Sequence, residues 1–143
     1  VIVVFDLDGT LALIEHRLHL IRSKPKNWPA FFRACAHDAP NVSLVGAAHA
    51  LSSAGHRIEI WSGRSDIVRP QTETWLKQHE ISYSVLRMRK DGDYRDDAVV
   101  KGEWLDSLPL GERPALVFDD RQRVVEMWRS RGVICCQVAP GDF

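Results

Sequence analysis

The sequence predicts an α/β fold: an open, Rossmann-like parallel sheet with helices on both faces and a small helical cap inserted after the first strand. Two patterns carry that prediction. Short apolar runs alternate with stretches of helical period, and strands separated by helices pair in parallel through right-handed crossovers. The rhythm is interrupted once, over residues 11–41, which hold two amphipathic segments. A length of 143 residues predicts one domain over residues 1–143, large enough to bury its own core.

Residues 1–5 are β-branched and apolar, which suits a strand buried on both faces. Ser43 precedes a helical stripe of Leu44, Val45, Ala47, Ala48 and Leu51, and Gly55 ends it at a left-handed cap. Residues 57–61 follow as a strand. Asp66 or a neighbour starts the next helix, with Pro70 in its first turn and Trp75 and Leu76 as core contacts. Residues 84–87 form a short strand, 99–108 a helix and 115–118 another strand. Val124, Val125 and Trp128 mark the last helix, and Gly132 stops it before a strand over 133–138. Within the interruption, one helix is expected near 14–21, and a second carries Trp28, Phe31, Phe32 and Cys35 on one stripe. In an open sheet of this kind the site lies at the carboxyl ends of the strands.

Composition excludes several classes. Lys plus Arg and Asp plus Glu both number 19, so a protein that holds polyanions by bulk charge is ruled out. No apolar run is long enough to span a membrane, and no secretory leader is visible, so a cytoplasmic protein is expected. Cys35, Cys135 and Cys136 are odd in number and irregular in spacing, which argues for reduced, mostly buried thiols rather than disulfides. His16 and His19 are three apart but lack a third ligand nearby for a metal site.

The chemistry starts at Asp6-Leu7-Asp8-Gly9-Thr10, directly after the first strand. Residues two apart on a strand face the same way, so two carboxylates start on one side and need a cation between them. All-oxygen ligands favour Mg²⁺. Ser62-Gly63-Arg64 follows another strand, with a hydroxyl and a guanidinium suited to phosphate. Lys101 opens or precedes a helix, where a surface position is the ordinary expectation. Asp119-Asp120-Arg121 follows a later strand; these acids suit a metal site or a helix cap. In that order the set supports metal-assisted nucleophilic phosphoryl transfer. One carboxylate attacks phosphorus; a second protonates the leaving alkoxide and then activates water.

These four motifs resemble those of the haloacid dehalogenase-like phosphohydrolases. A closer resemblance, over essentially the whole chain, is to the 3′-phosphatase domain of bacteriophage polynucleotide kinase-phosphatase. It is carried by Ser62-Gly63-Arg64 with Thr74-Trp75-Leu76, by residues 95–101, and by the tail from Asp119 to Arg129, Gly132-Val133, Gln137-Val138-Ala139 and Gly141-Asp142-Phe143. The resemblance implies that Asp6 is the nucleophile and a metal ligand. It implies that Asp8 is the general acid/base and that its carbonyl binds Mg²⁺. Ser62 and Lys101 would hold the phosphate, Asp119 with Asp120 would complete the metal shell, and Arg17, Arg64, Arg89 and Arg121 would bind substrate. Asp97 matches an acidic position with a supporting role.

The chain departs from that pattern in two respects. It holds no G-x-x-x-x-G-K-[ST] kinase loop, so any kinase activity belongs to a domain joined to it in the natural protein. Its 11–41 segment is longer than the phage counterpart, which suits a site narrowed toward mononucleotides. The aromatic stripe there is in the ordinary reading a core face; stacking a base is the alternative. Residues 87–97, dense in both signs, read as a solvated loop or a substrate loop carrying Arg89, Tyr94 and Arg95. The expected function is a Mg²⁺-dependent phosphomonoesterase acting on a nucleotide or polynucleotide end at the 3′-phosphate through an aspartyl phosphate. The alternatives are a phosphatase of free nucleoside monophosphates or other small metabolites, and a non-catalytic module that binds nucleic-acid ends.

Overall fold

The computed structural model describes residues 1–141; Asp142 and Phe143 of the matched tail lie outside the described residues. Five strands form one parallel sheet in the order β5-β4-β1-β6-β7, comprising β1 (Ile2–Phe5), β4 (Arg57–Ser65), β5 (Val85–Arg89), β6 (Leu116–Asp119) and β7 (Ile134–Gln137). Residues of β1 alternate between two cores, as the pleat requires. Val3 and Phe5 pack with Val45 and Ala48 of α3 (Val42–Ser53) and with Trp75 and Leu76 of α4 (Arg69–Gln78). Val4 packs on the other face with Leu105 of α5 (Asp97–Asp106) and with Val124, Val125 and Trp128 of α6 (Gln122–Ser130). Helices therefore cover both faces, which is why β1 reads as an unbroken apolar run. Among the described residues, no helix is long and apolar enough to cross a membrane.

Several boundaries differ from those expected, each for a local reason. Helix α3 starts after Asn41, not Ser43, because the Asn41 carbonyl accepts the first helical hydrogen bond, from the Val45 amide at 2.9 Å. Strand β4 runs on to Ser65, with an irregular register between Ser62 and Ser65 against β5. Helix α5 begins at Asp97 because the Asp96 carboxylate accepts a hydrogen bond from the Ala98 amide at 2.9 Å. Lys101 thus lies inside the helix rather than at its start.

The 11–41 segment pairs β2 (Ala12–Leu13) antiparallel with β3 (Ala39–Pro40) and carries short helices between them. The helix expected near 14–21 is broken into a 3₁₀ turn at Glu15–Arg17 and α1 (His19–Arg22). The break follows from Arg17, whose side chain turns inward to carboxylates rather than along a helix face. The aromatic stripe lies on α2 (Trp28–Arg33) and the turn that follows. It splits in burial: Phe31 and Cys35 are buried, whereas Trp28 and Phe32 are only partly covered.

The adjacent cysteines also divide. Cys135 faces the core and Cys136 is exposed, because successive strand residues face opposite ways. Burial raises the Cys35 thiol, and burial with the Asp119 charge pushes Cys135 up to about 12. A water-soluble thiol reagent at neutral pH is therefore expected to modify Cys136 alone in the native protein and all three cysteines after denaturation, as counted by mass spectrometry.

Candidate active site

The carboxyl ends of β1, β4 and β6 meet at the middle of the sheet, and the two acidic motifs come together there. The Asp6 amide extends the β1–β6 ladder by donating to the Phe118 carbonyl at 3.0 Å, which aims Asp6 toward the end of β6. Carboxylate oxygens of Asp6, Asp119 and Asp120 lie within 4.8 Å of one another, all three buried. The Lys101 ammonium donates to Asp6 Oδ1 and Asp119 Oδ2, at 2.9 Å in each case. Burial works against that ammonium, but Asp119 and Asp6 outweigh it and lift its pKa above the ordinary value. Burial and Asp119 raise Asp6 well above the usual carboxylate range against the pull of Lys101, and burial with Asp119 likewise raises Asp120.

One ammonium does not balance three buried carboxylates. Asp120 Oδ1, moreover, is buried with no hydrogen-bond partner among the described residues. Such an oxygen is costly unless a donor or a cation meets it. An all-oxygen cluster with an unpartnered carboxylate oxygen fits a hard divalent ion such as Mg²⁺. Asp6, Asp119 and Asp120 are the residues placed to hold it. Gly9 is required beside them. Its φ is +84°, and a Cβ there would overlap the Asp120 carboxylate.

Asp8 belongs to a different charge cluster. The strand ends at Phe5, and the Thr10 and Ala12 amides turn the chain back onto the Leu7 carbonyl, so strand alternation no longer relates Asp6 to Asp8. Both acids line one cleft, but the Asp8 carboxylate is absent from the three-acid cluster. It is held by Arg17 Nη2 at 2.6 Å and Arg64 Nε at 2.9 Å. Burial alone would raise this carboxyl; Arg64 and Arg17 overcome it and hold Asp8 at about 2.

Behind these arginines sits Asp38, which sequence reading missed. Its side chain is fully buried. It accepts from Arg17 Nε and Nη2 at 2.8 and 2.7 Å and from Arg64 Nη2 at 3.0 Å, and His16 Nε2 lies 2.6 Å away. The Asp38 carbonyl accepts from Trp75 Nε1 at 2.8 Å. A lone Asp ahead of a two-residue strand carries no local signal, and only the paired burial of Arg17 and Arg64 marks it. Both guanidiniums are fully buried. The structure thus places Arg17 and Arg64 behind Asp8 and not on the cleft wall.

Ser62 is also withdrawn: its buried Oγ accepts from the Arg64 amide at 3.1 Å, while Gly63 and Ser65 line the cleft. Asp97 forms a third bracket. It pairs with Arg89 and, at 2.7 Å, with Arg121 Nη1, and all three line the cleft. Arg89 is anchored further by the Gly63 carbonyl at 2.8 Å. Any Cβ on Gly63 would overlap Asp97, so close approach fixes that glycine. The 87–97 segment is therefore partly built into the site: Arg89 is buried, Arg95 pairs with Asp93 and Glu103, and Tyr94 is exposed.

The family described as polynucleotide kinase PNKP phosphatase domain matches this chain over residues 1–143. The chain belongs to that family. It is a phosphatase domain with the haloacid dehalogenase-like fold. A protein of Autographa californica nuclear polyhedrosis virus, named for polynucleotide kinase and RNA ligase, is 29% identical over 130 residues. That match covers 89% of this chain and 17% of the viral protein. A chain in the structure of a Pnkp1/Rnl/Hen1 RNA repair complex is 33% identical with a TM-score of 0.84, covering 99% of this chain and 43% of that one. A haloacid dehalogenase-like hydrolase of Streptococcus pneumoniae, 15% identical, shares the fold at a TM-score of 0.67 over 95% of this chain and 83% of its own. The phosphatase domain thus spans less than half of the two longer relatives.

Asp38→Ala is expected to leave two buried guanidiniums sharing one carboxylate and to cost about 3–5 kcal/mol of stability, the usual penalty for breaking a buried ion pair, measured by urea unfolding. Gly9→Ala is expected to abolish phosphatase turnover while the far-ultraviolet circular dichroism persists, because the clash falls on Asp120 and not on the core.

Proposed function

We propose that this domain removes the 3′-phosphate from a polynucleotide end, using Mg²⁺ and an aspartyl phosphate on Asp6. The observation that carries the reading is the division of two neighbouring carboxylates between two environments: Asp6 among acids with Lys101, Asp8 between two arginines. Acids separated in this way suit separate roles. Family membership and the nucleic-acid repair names of the longer relatives support the polynucleotide substrate.

In this reading Lys101 fixes Asp6 Oδ1, and Oδ2, which sits 3.5 Å from Thr10 Oγ1, is the oxygen that attacks phosphorus. The bond from phosphorus to the 3′-oxygen breaks, and Asp8 supplies the proton to that oxygen. Asp8 starts as a carboxylate, because Arg64 and Arg17 hold it at about 2. The proton it delivers comes in on the substrate, a phosphate monoester whose second pKa is about 6, and passes to Asp8 before the first step. Asp8 then takes a proton from water, which attacks the aspartyl phosphate and frees Asp6. Mg²⁺ on Asp6, Asp119 and Asp120 would supply neutralisation of charge on the phosphoryl oxygens.

Arg17 and Arg64 act in this scheme as positioning residues for Asp8, since neither is exposed to the cleft. Arg89 and Arg121 face the cleft and share Asp97, so an arriving anion finds two guanidiniums already in place. A polynucleotide kinase acting on the 5′-hydroxyl across the same break is the partner that this chemistry suits.

The test is phosphate release from an oligonucleotide 3′-phosphate, its 5′-phosphorylated counterpart, and free 3′- and 5′-mononucleotides. The 3′-phosphorylated oligonucleotide is expected to be preferred. Preference for mononucleotides would move the substrate to the free nucleotide pool. Asp6→Asn is expected to abolish turnover, and chelation to abolish it until Mg²⁺ is restored; activity retained in either case sinks the mechanism. With zero net charge, oligonucleotide binding should show a shallow salt slope, equivalent to about two to four ion pairs.

A further inference from the structure

The cleft is larger than a phosphate needs. It encloses about 570 Å³, within the roughly 300–1,000 Å³ typical of small-molecule sites. Its acidic end holds Asp6, Asp8, Asp119 and Asp120, and another part of its lining is aromatic and cationic. There Trp28 and Phe32 stack with ring centroids 5.8 Å apart and planes 27° from parallel. Both are only partly covered, and both line the cleft. Phe31 packs edge-on to them, at 5.5 Å from Trp28 and 5.7 Å from Phe32, and is itself buried.

This platform is fixed relative to the reacting acids. The Arg17 guanidinium lies 4.2 Å from the Phe31 ring centroid and donates to the Phe31 carbonyl at 3.1 Å. The same guanidinium grips Asp8 at 2.6 Å. One side chain therefore ties the aromatic helix to the proton-transfer group. Two exposed cations flank the rings in sequence and line the cleft. Lys26 Nζ stands 5.7 Å from the Trp28 ring centroid, and Arg33 ends α2. Ile67, 64% exposed, adds an apolar surface to the same cleft.

A planar apolar group and a nearby anion match this surface together. A sugar phosphate lacks the planar group, and an acyl chain lacks the anion. We propose that Trp28 and Phe32 form the subsite for the nucleobase of the terminal nucleotide, with Lys26 and Arg33 holding the phosphodiester that joins it to the strand. The inference rests on the polynucleotide reading above and extends it to the residues that select the substrate. Every base offers a π face, so the subsite tolerates all four bases and rejects an end without one. The aromatic stripe of the sequence thus serves two ends. Phe31 and Cys35 are core, while Trp28 and Phe32 are substrate wall.

The experiment compares kcat/KM on three substrates: an oligonucleotide 3′-phosphate with an ordinary terminal base, the same strand with an abasic terminal residue, and glycerol 2-phosphate. The wild type is expected to favour the base-bearing end over the abasic end by about fivefold to a hundredfold, the range for one base stacked on an aromatic side chain. Trp28→Leu and Phe32→Leu should bring that ratio toward one, mainly through KM, and Trp28→Phe should keep it. A ratio near one in the wild type overturns the proposal. So does a ratio that survives in both leucine variants, even if their overall rates fall. If the wild type hydrolyses glycerol 2-phosphate but neither oligonucleotide, the polynucleotide reading itself falls. If it hydrolyses both oligonucleotides equally, only the base subsite falls.

Discussion

Buried negative charge at the carboxyl edge of the sheet is the constraint on which the rest of this structure depends. Asp6, Asp8, Asp38, Asp97, Asp119 and Asp120 gather there, against Lys101, Arg17, Arg64, Arg89 and Arg121. Unpaired buried carboxylates are costly, so most of them are met by a cation from another segment of the chain. Lys101 comes from α5, on the face opposite α3 and α4. Arg64 comes from the irregular end of β4, and Arg17 from the short turn after β2. Among the described residues, Asp120 keeps a buried carboxylate oxygen without a hydrogen-bond partner, and that is where the cluster suits a metal ion.

Two glycines show how tightly the charges are packed. Gly9 and Gly63 each lie so close to a carboxylate that a methyl group would displace it. At Gly9 a positive φ is needed as well, because the chain must leave β1 and fold straight back. The 11–41 segment is locked to this edge through Arg17 and Asp38. Its short helices have little intrinsic stability, since helices of four and six residues are marginal alone. Their position is set by buried ion pairs and by the small apolar core of Ile14, Leu18, Ile21 and Phe31.

Much of the site was readable as motifs. Asp6 and Asp119 each end an apolar run, Asp8 and Asp120 follow them closely, and that pattern needs no tertiary information. Lys101 looked like a surface residue by composition and proved buried, because two carboxylates distant in sequence stabilise its charge. Ser62, Arg17 and Arg64 were expected to face substrate. They lie behind the cleft wall, because both guanidiniums are turned to the buried carboxylates of Asp8 and Asp38 and the Ser62 hydroxyl is turned to the Arg64 amide. Asp38 had no local signature at all.

The amino-acid sequence by itself determined the fold class, the order of the main strands and helices, the positions of the acidic motifs and the family. Strand and helix periods are local, and motif residues sit at strand ends, so both survive in one dimension. The tertiary structure decided which acids share a cluster, which arginines support and which ones face the cleft, and which half of an aromatic stripe is core. Those outcomes depend on burial and on charges tens of residues apart. A side chain's partner, and hence its role, follows from electrostatics in space rather than from its neighbours along the chain.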